Sequence, residues 1–353
     1  MDKSLELQQQ LEQAVADQQV LNITAGNSKQ FIGRKAQGQT FSLSGHSGLV
    51  QYDARELVVT VRAATPLDEL QQALAAEGQY LPFEPPSFAS TATIGGTLAC
   101  GLSGPSRPYL GSARDYLLGT VVLNGQAQQL TFGGQVMKNV AGYDLSRLMV
   151  GAMGTLGILL QCSLKVLPQP PFQQTLVLSL PANQAIERMN RLAADQHPIS
   201  ASCYFDGRLY VRLSGFEASV NKSIKQIGGE VLANGNQFWR DLNEQQLSFF
   251  SANQPLWRLS LPATAEAISL AGEHLIDWGG AQRWFKPADG ITAEAIFEEA
   301  SRLRGHASCF RSSQPLQQVY QPLPPAMLAL QQRLKKSLDP MGLFNPGRMY
   351  AEI

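Results

Sequence analysis

The chain lacks the features that mark several classes of protein. Its four cysteines (Cys100, Cys162, Cys203 and Cys309) are far apart, and none has the paired spacing of a zinc or iron–sulfur site. No segment approaches the roughly 18 apolar residues of a membrane helix, and the first ten residues lack the apolar core of a signal peptide. Lys plus Arg and Asp plus Glu both number 28, so bulk charge does not favour nucleic acid or an anionic membrane. We expect a globular protein in the reducing cytoplasm, with free and mostly buried thiols.

The length of 353 residues is sufficient for two domains. Several prolines between residues 168 and 171 indicate a boundary, and the pattern of elements changes after them. We therefore expect one domain over residues 1–170 and a second over 171–325, with a C-terminal segment over 326–353. The second domain alternates strands, helices and hairpins, which predicts an α+β fold with an antiparallel sheet covered by helices.

Periodicity predicts most of the individual elements. In the first half we expect a helix over 5–20 whose inward residues are Leu5, Leu11 and Val15, and a second helix that is capped at Thr65-Pro66. Residues 92–115 have little helix or strand signal. The expected strands cover 21–24, 57–61, 117–123, 129–132, 175–180 and 256–261, and the later helices cover 184–194, 218–227, 263–270, 292–303 and 327–338. The expected hairpin turns lie at Asn124-Gly125 (type I′), Asp206-Gly207 and Gly279-Gly280.

Three segments rich in glycine and hydroxyl side chains stand out in the first half: ITAGNSK, ATIGGTLACGLSG and GAMGTLGI. Each could be a structural turn, but three of them separated by strands indicate one extended ligand held by main-chain amides. Such loops form concave anion sites, and glycine lets a ligand approach the backbone. The third segment has helical periodicity before Gly151 and strand periodicity after Gly157. This order is the reverse of the dinucleotide fingerprint, so a Rossmann site is not expected; a tight helix-to-strand turn is the alternative.

These segments resemble the FAD-binding fold of the vanillyl-alcohol oxidase and p-cresol methylhydroxylase family. The chain is similar in particular to the small FAD-binding subunits of bacterial glycolate oxidases, most specifically in KNVAGYDLSRLMVG and LFNPGRMY. The resemblance implies a two-subdomain FAD-binding domain, an α+β cap domain, and a closing motif that returns to the FAD domain. It implies FAD as the cofactor, with the pyrophosphate, flavin and adenine ends at successive loops. We expect no covalent bond to FAD, because three main-chain loops suit a dinucleotide and no attachment histidine is evident. The residues that it places at the cofactor are Thr24, Ala25, Gly26, Asn27, Ser28, Pro86, Ile94, Gly95, Gly96, Thr97, Gly101, Gly154, Gly157, Ile158 and Asn345.

The resemblance also implies a function and partners. The implied complex oxidises glycolate to glyoxylate and contains a larger FAD-binding catalytic subunit and an iron–sulfur subunit, which receives the electrons and could attach the complex to the inner membrane. The larger subunit carries a motif H-x-x-x-x-G-D-G-N-x-H that binds a metal and places the substrate hydroxyl. This motif is absent here, so we expect no metal, and oxidation of glycolate by this chain alone is in question. The alternatives are a free-standing FAD-dependent 2-hydroxy acid dehydrogenase and a structural subunit that holds FAD without turnover.

A few side chains are candidates for catalysis. Arg283 and Lys286 could hold a substrate carboxylate, for which a bidentate arginine is well suited; a solvated strand or an interface is the alternative. Arg348, beside the closing motif, could stabilise negative charge at the reduced flavin. Trp278 and Trp284 could cover the flavin ring or belong to the core of the second domain.

Structural or surface roles are expected for the four histidines and for the pair Lys138-Asn139. The four histidines (His46, His197, His274 and His306) are isolated in the sequence, which favours structural or surface roles. Some members of the family attach FAD to histidine, but the position of His46 gives no support for this. Lys138-Asn139 lies near a candidate flavin loop, where a capping or surface role is equally expected.

Overall fold

The computed structural model describes residues 1–134, 144–251, 254–313 and 318–353, and the chain divides into two compact units. Unit 1 comprises Met1–Ser103, Gly111–Pro168 and Pro322–Ile353, and unit 2 comprises Gly104–Leu110 and Gln169–Gln321. The division between the units falls close to the expected boundaries at 170 and 325. The sequence had assigned Gly104–Leu110 to the first domain, whereas this segment belongs to unit 2.

The described residues form helices and strands that alternate along the chain. The helices are α1 (Ser4–Ala16), α2 (Leu67–Ala76), α3 (Ile94–Cys100), α4 (Arg107–Leu110), α5 (Ala113–Tyr116), α6 (Ala182–Ala194), α7 (Glu217–Ile227), α8 (Gly235–Asn243), α9 (Ala293–Arg302) and α10 (Pro325–Leu338). The strands are β1 (Leu21–Thr24), β2 (Gln39–Ser42), β3 (Leu49–Asp53), β4 (Val58–Arg62), β5 (Gln79–Tyr80), β6 (Leu117–Leu123), β7 (Gln129–Gly133), β8 (Ile158–Lys165), β9 (Leu167–Pro168), β10 (Phe172–Ser179), β11 (Ile199–Phe205), β12 (Arg208–Gly215), β13 (Glu230–Val231), β14 (Leu256–Ser260), β15 (Gly272–Asp277), β16 (Gln282–Pro287) and β17 (His306–Arg311). Among these residues no helix is both long and apolar enough to cross a membrane.

Unit 1 is built on an antiparallel sheet with the strand order β3-β4-β8-β6-β7, beside the parallel pair of β1 and β2. The central strands β4, β6 and β8 are rich in buried apolar residues, as expected for strands covered on both faces. Helix α2 buries Leu67, Leu70 and Leu74 on one face, as the sequence predicted. Helix α1 buries Leu7, Leu11 and Ala14, while the predicted inward residue Leu5 is 69% exposed.

Four local predictions in unit 1 were wrong. Residues 92–115 contain α3, which begins after the cap Thr93 and ends at Gly101 in the left-handed region. Helix α2 starts one residue later than predicted, because the hydroxyl of Thr65 bonds back to Gly48 and Arg62 instead of capping the helix. The turn after β6 spans 124–128 and is not type I′, since the Asn124 side chain accepts the main-chain N–H groups of residues 126 and 128. In the described residues 144–150, before Gly151, there is only the short 3-10 turn Arg147–Met149, although Gly151 is left-handed as expected.

Unit 2 is an antiparallel eight-stranded sheet with the order β13-β10-β12-β11-β15-β16-β14-β17. Helices α6 and α7 cover one apolar cluster of this sheet and α9 covers another. The hairpin between β11 and β12 turns at Asp206 and Gly207, both with positive φ, which confirms the predicted turn. The predicted helix over 263–270 is absent, because the carbonyl groups of Ala263 and Ala265 accept hydrogen bonds from side chains. Helix α8 and strand β17 were not predicted.

Candidate cofactor site

The loop after β1 presents three main-chain amides to a prospective ligand. Gly26 is in close contact with the next loop: a Cβ atom there would lie 1.5 Å from the carbonyl oxygen of Thr91. Asn27 adopts a left-handed conformation with φ of 59°. Within the described part of the chain, no group accepts a hydrogen bond from the N–H of Gly26, Asn27 or Ser28. Consecutive acceptor-free amides around a left-handed residue are typical of a concave anion site, and anion binding by this loop stays a prediction.

Two cationic side chains hold the same loop in place. The ammonium group of Lys29 is buried and donates to the hydroxyl of Ser28 and the carbonyl of Ser87, both at 3.2 Å. The guanidinium of Arg348 donates to the carbonyl of Gln30 at 2.9 Å and also to that of Arg34. Both cations therefore fix the loop through its carbonyl and hydroxyl groups while adding positive potential beside the free amides. Arg348 thus has a positioning role that the sequence did not suggest.

The second loop leads into α3, where two adjacent glycines have different neighbours. A Cβ atom on Gly95 would lie 2.7 Å from the carbonyl oxygen of Ala63, so this glycine is required by packing. At Gly96 only the hydroxyl of Thr93, at 3.2 Å, lies within 4 Å of the added Cβ. The N–H of Gly96 is already bonded to that hydroxyl. Helix α3 therefore leaves space for a ligand to approach its backbone at Gly96, but the N–H of Gly96 is not free to bind that ligand.

The third loop is tied to the C-terminal segment by Asn345. The side chain of Asn345 donates to the carbonyl of Met153 at 2.7 Å and accepts the N–H of Ile23 at 2.8 Å. Gly154 is left-handed, and a Cβ atom there would lie 2.8 Å from Nδ2 of Asn345. In the part of the chain that the structure describes, the N–H groups of Gly154 and Gly157 have no acceptor. The first and third loops are therefore joined at one place by a single side chain.

A buried ion pair reinforces this junction. The ammonium group of Lys335, on α10, donates to the carboxylate of Asp339 and the carbonyl of Thr155, both at 2.8 Å, and to the carbonyl of Phe344 at 2.6 Å. The Asp339 carboxylate also accepts the N–H groups of Leu343 and Phe344. Burial lowers the pKa of Lys335, and the contact with Asp339 opposes this shift. The pair fixes the C-terminal segment against the third loop.

The three loops converge on one cleft of unit 1, of about 90 Å³. Its donors are main-chain N–H groups, its glycines leave space at the backbone, and its remaining wall is apolar. These features suit a ligand with an anionic group and a flat apolar part, as FAD has. A volume of about 90 Å³ holds only a small part of that cofactor, and Gly26, Asn27 and Ser28 do not line it. The lining residues are Ile23, Thr24, Ala25, Leu43, Ala63, Gly95, Gly96, Ala99, Met149, Met153, Gly154, Gly157, Leu159 and Asn345.

The sequence-predicted residues divide between this cleft and the packing around it. Seven of them line the cleft, namely Thr24, Ala25, Gly95, Gly96, Gly154, Gly157 and Asn345. Ile94, Thr97 and Ile158 are fully buried, and the hydroxyl of Thr97 has no hydrogen-bond partner among the described residues. Pro86 is buried as well, and Gly101 ends α3 against Gly151. The sequence analysis did not predict the apolar wall of the cleft. Small or apolar residues next to the glycine loops are the feature of the sequence that could have indicated it.

The candidate side chains of unit 2 are engaged inside that unit. Arg283 is 1% exposed and donates to the carbonyls of Gly280 and Ala265, and burial lowers its pKa to about 10. Lys286 forms an ion pair with Glu273 at 2.9 Å. Trp278 and Trp284 are both buried in unit 2. Their roles toward substrate or flavin remain predictions, but these contacts account for each side chain structurally.

His46 is held by main-chain groups on both ring nitrogens. Its Nδ1 accepts the N–H of Lys3 at 3.0 Å, and its Nε2 donates to the carbonyl of Leu160 at 2.9 Å. This is a buried structural histidine, and burial lowers its pKa. The described ranges contain no group of three or more His, Cys, Asp or Glu residues that could hold a metal. Lys138-Asn139 lies outside the described residues.

Comparison with solved structures shows which fold the two units form. The chain is similar to p-cresol methylhydroxylase with a TM-score of 0.73 and 13% identity, covering all of this chain and 88% of the other. Alkyldihydroxyacetonephosphate synthase matches with a TM-score of 0.68 and 14% identity, over 97% of this chain and 74% of the other. These likenesses confirm the predicted fold class.

Sequence comparison shows the family. The FAD binding domain family matches residues 2–143. Glycolate oxidase subunit GlcD of Bacillus subtilis is 33% identical over 36% of this chain and 27% of its own length. Glycolate oxidase subunit GlcE of Escherichia coli is 48% identical over the whole chain and 99% of its own length. The chain therefore belongs to the family of FAD-binding glycolate oxidase subunits represented by GlcE.

Proposed function

We propose that the chain is the FAD-binding subunit of a glycolate oxidase complex that oxidises glycolate to glyoxylate and passes the electrons to an iron–sulfur partner subunit. The observation that carries the proposal is the convergence of three glycine loops on one cleft, with acceptor-free amides in the first and third loops, in a chain 48% identical to GlcE. The oxidoreductase class follows from the family. In this proposal the complex lies in the cytoplasm, and the partner subunits make any contact with the inner membrane.

The residues of unit 1 have distinct tasks toward the cofactor. The N–H groups of Gly26, Asn27 and Ser28 would hold the pyrophosphate, and Lys29 and Arg348 keep that loop in shape. The apolar wall of the cleft would exclude water from the part of the cofactor against it, which would strengthen hydrogen bonds from the N–H groups of Gly154 and Gly157. When bound, FAD supplies the acceptor for the hydride of a 2-hydroxy acid. Attachment is non-covalent in this proposal, because both ring nitrogens of His46 are already engaged.

The sequence lacks the histidine motif that would serve one part of the reaction. Removing hydride from the carbon of a 2-hydroxy acid requires a base for the hydroxyl proton and cations for the carboxylate. The histidine motif that serves as metal site and hydroxyl-placing group in the larger glycolate oxidase subunit is absent from this sequence. A larger FAD-binding subunit is therefore the partner that would complete the chemistry.

The exit of the electrons also points to a partner. All four cysteines are free thiols, and burial raises the pKa of Cys162 and of Cys309 to about 12, so both remain protonated at neutral pH. None of them has the spacing of an iron–sulfur ligand set in the sequence. An iron–sulfur subunit is thus the proposed recipient of the electrons.

Anaerobic stopped-flow mixing with glycolate tests the proposal. The isolated, FAD-loaded chain should show no flavin reduction on the timescale of the assembled enzyme, and a complex rebuilt with the Gly96→Val variant should lose activity. Fast reduction of the isolated chain would instead identify a free-standing 2-hydroxy acid dehydrogenase. Full activity of the complex with a flavin-free Gly96→Val subunit would show that this FAD site is structural only.

A further inference from the structure

Phe88, in the segment between β5 and α3, has an unusual backbone conformation. Its φ is 58°, in the left-handed region that a bulky side chain rarely adopts. Strain of this kind persists where the surrounding structure holds it, and it is frequent at ligand sites. The partly buried ring of Phe88 contacts the loop after β1. Its centroid lies 5.5 Å from that of Phe31, in an edge-on arrangement, and 5.9 Å from the ammonium nitrogen of Lys29.

Lys29 ties the two segments together. Its side chain is 5% exposed, and its ammonium group donates to the carbonyl of Ser87 and to the hydroxyl of Ser28, both at 3.2 Å. The ring of Phe88 adds a cation–π contact, which is stronger for a desolvated cation than for an exposed one. Two consecutive residues, Ser87 and Phe88, therefore hold the ammonium group by a hydrogen bond and by an aromatic ring.

The same two segments also meet at Gly26. A Cβ atom on Gly26 would lie 1.5 Å from the carbonyl oxygen of Thr91, so the main chains are in direct contact there. The loop after β1 is thus fixed at Gly26 and again at Lys29. Asn27 and Ser28, whose N–H groups have no acceptor among the described residues, lie between these two points in the sequence. Donors that are fixed before a ligand arrives need no ordering when it binds, which raises the affinity.

We propose that Phe88 is a positioning residue for FAD, which acts through Lys29 on the amides of Asn27 and Ser28. Its ring, supported by Phe31, holds the ammonium group in place, and the ammonium group holds the loop in the shape that binds the pyrophosphate. This inference rests on the proposed function, in which the amides of that loop hold the pyrophosphate. Without the ring, FAD itself would have to order the loop, and the affinity would fall accordingly.

Titration of the apoprotein variants with FAD, together with their thermal unfolding, tests this role. Phe88→Leu keeps an apolar side chain but removes the aromatic face, so it should lower the affinity for FAD by about three- to tenfold. Phe88→Tyr restores the face and should bind FAD like the wild type. Phe31→Leu, which removes only the edge contact, should weaken binding by a smaller factor. A purely structural role would instead lower the melting temperature in Phe88→Leu and leave the affinity for FAD unchanged.

The route through Lys29 is tested by a double variant. In a Lys29→Met background, Phe88→Leu should cause no further loss of affinity, because the ring then has no cation to hold. A matched control is Phe249→Leu, which removes a ring from beside the ammonium group of Lys286 in unit 2, at 4.8 Å from the centroid, and should leave the affinity for FAD unchanged.

Three results would overturn the inference: wild-type affinity in Phe88→Leu, a Phe88→Tyr variant as weak as Phe88→Leu, or the same loss from Phe88→Leu with and without Lys29. Failure of the proposed function is distinguishable, because it would appear as a wild-type chain that does not bind FAD. Normal FAD binding by the wild type with an unaffected Phe88→Leu variant would contradict only the role of Phe88.

Discussion

At the scale of single residues, the glycines of the cleft differ in what a side chain would meet. We expect Gly96→Val to lower the affinity for FAD at least tenfold with little change in the melting temperature of the apoprotein, because only the hydroxyl of Thr93 lies near the added Cβ. Gly157→Val should lower both the affinity for FAD and the melting temperature of the apoprotein, since its Cβ would lie 3.2 Å from the carbonyl oxygen of Leu123. FAD titration and thermal unfolding of both variants provide the check.

The exposed residue Ser219, on α7 of unit 2, gives the matching control. Ser219→Val introduces the same branched side chain far from the cleft in sequence and in a different unit, so FAD affinity should stay unchanged. A Gly96→Val variant that still binds FAD like the wild type would show that this glycine serves only the turn into α3.

The buried pair of Lys335 and Asp339 gives a second prediction at this scale. Lys335→Met leaves the Asp339 carboxylate buried without its cation, so the free energy of unfolding should fall by about 3–5 kcal/mol. The double variant Lys335→Met/Asp339→Asn should lose less than the sum of the two single changes, because neither charge is then left alone. Urea unfolding of the four proteins of this cycle measures the coupling, and strictly additive losses would refute the pairing.

His46 predicts a pH dependence. Burial lowers its pKa, so the unfolded chain binds a proton near the ordinary value of about 6.5 while the folded chain does not. Stability should therefore fall as the pH drops from about 6.5 through the lower folded pKa, with Asp2 moderating and Arg62 and the N-terminus reinforcing the shift. The slope of melting temperature against pH over this range should be shallower in His46→Gln. An equal slope in the variant would mean that other groups govern this range.

At the scale of elements, two helices carry the same cap in different surroundings. The hydroxyl of Thr93 accepts the N–H of Gly96 at the start of α3, and that of Thr292 accepts the N–H of Ala295 at the start of α9. Each change to alanine should cost about 1 kcal/mol of stability. Only Thr93→Ala should also weaken FAD binding, because α3 presents Gly96 to the cleft. Equal FAD affinities of the two variants would contradict a role for α3 in the site.

The same elements show what a local pattern can predict. Strands β6 and β8 and the buried face of helix α2 were predicted well, since each has an uninterrupted apolar pattern. Helix α3 was missed because its sequence IGGTLAC has two glycines and seven residues, and it is held by its cap and by hydrogen bonds from other segments. The prediction of a helix over 263–270 was wrong for a related reason, since side chains of residues outside this segment donate hydrogen bonds to its carbonyl groups.

At the scale of the whole molecule, the sequence predicted the loops of the cleft but not the contacts that join them. The three loops could be identified because glycine and hydroxyl residues cluster in the sequence. The contacts that join them could not: Asn345 bonds to Ile23 across 322 residues of chain, and Lys335 reaches Thr155 across 180. The apolar wall could not be predicted from residue type, because residues such as Met149 and Leu159 are equally common in an ordinary hydrophobic core.

Binding of FAD by unit 1 through main-chain groups is the central claim, and titration of the purified apoprotein with FAD tests it most directly. The chain should bind one FAD, the Gly96→Val variant should bind it at least tenfold more weakly, and acid precipitation of the loaded protein should release all the flavin into the supernatant. A wild-type chain that ignores added FAD would contradict the site, and flavin that remains with the precipitate would contradict non-covalent binding.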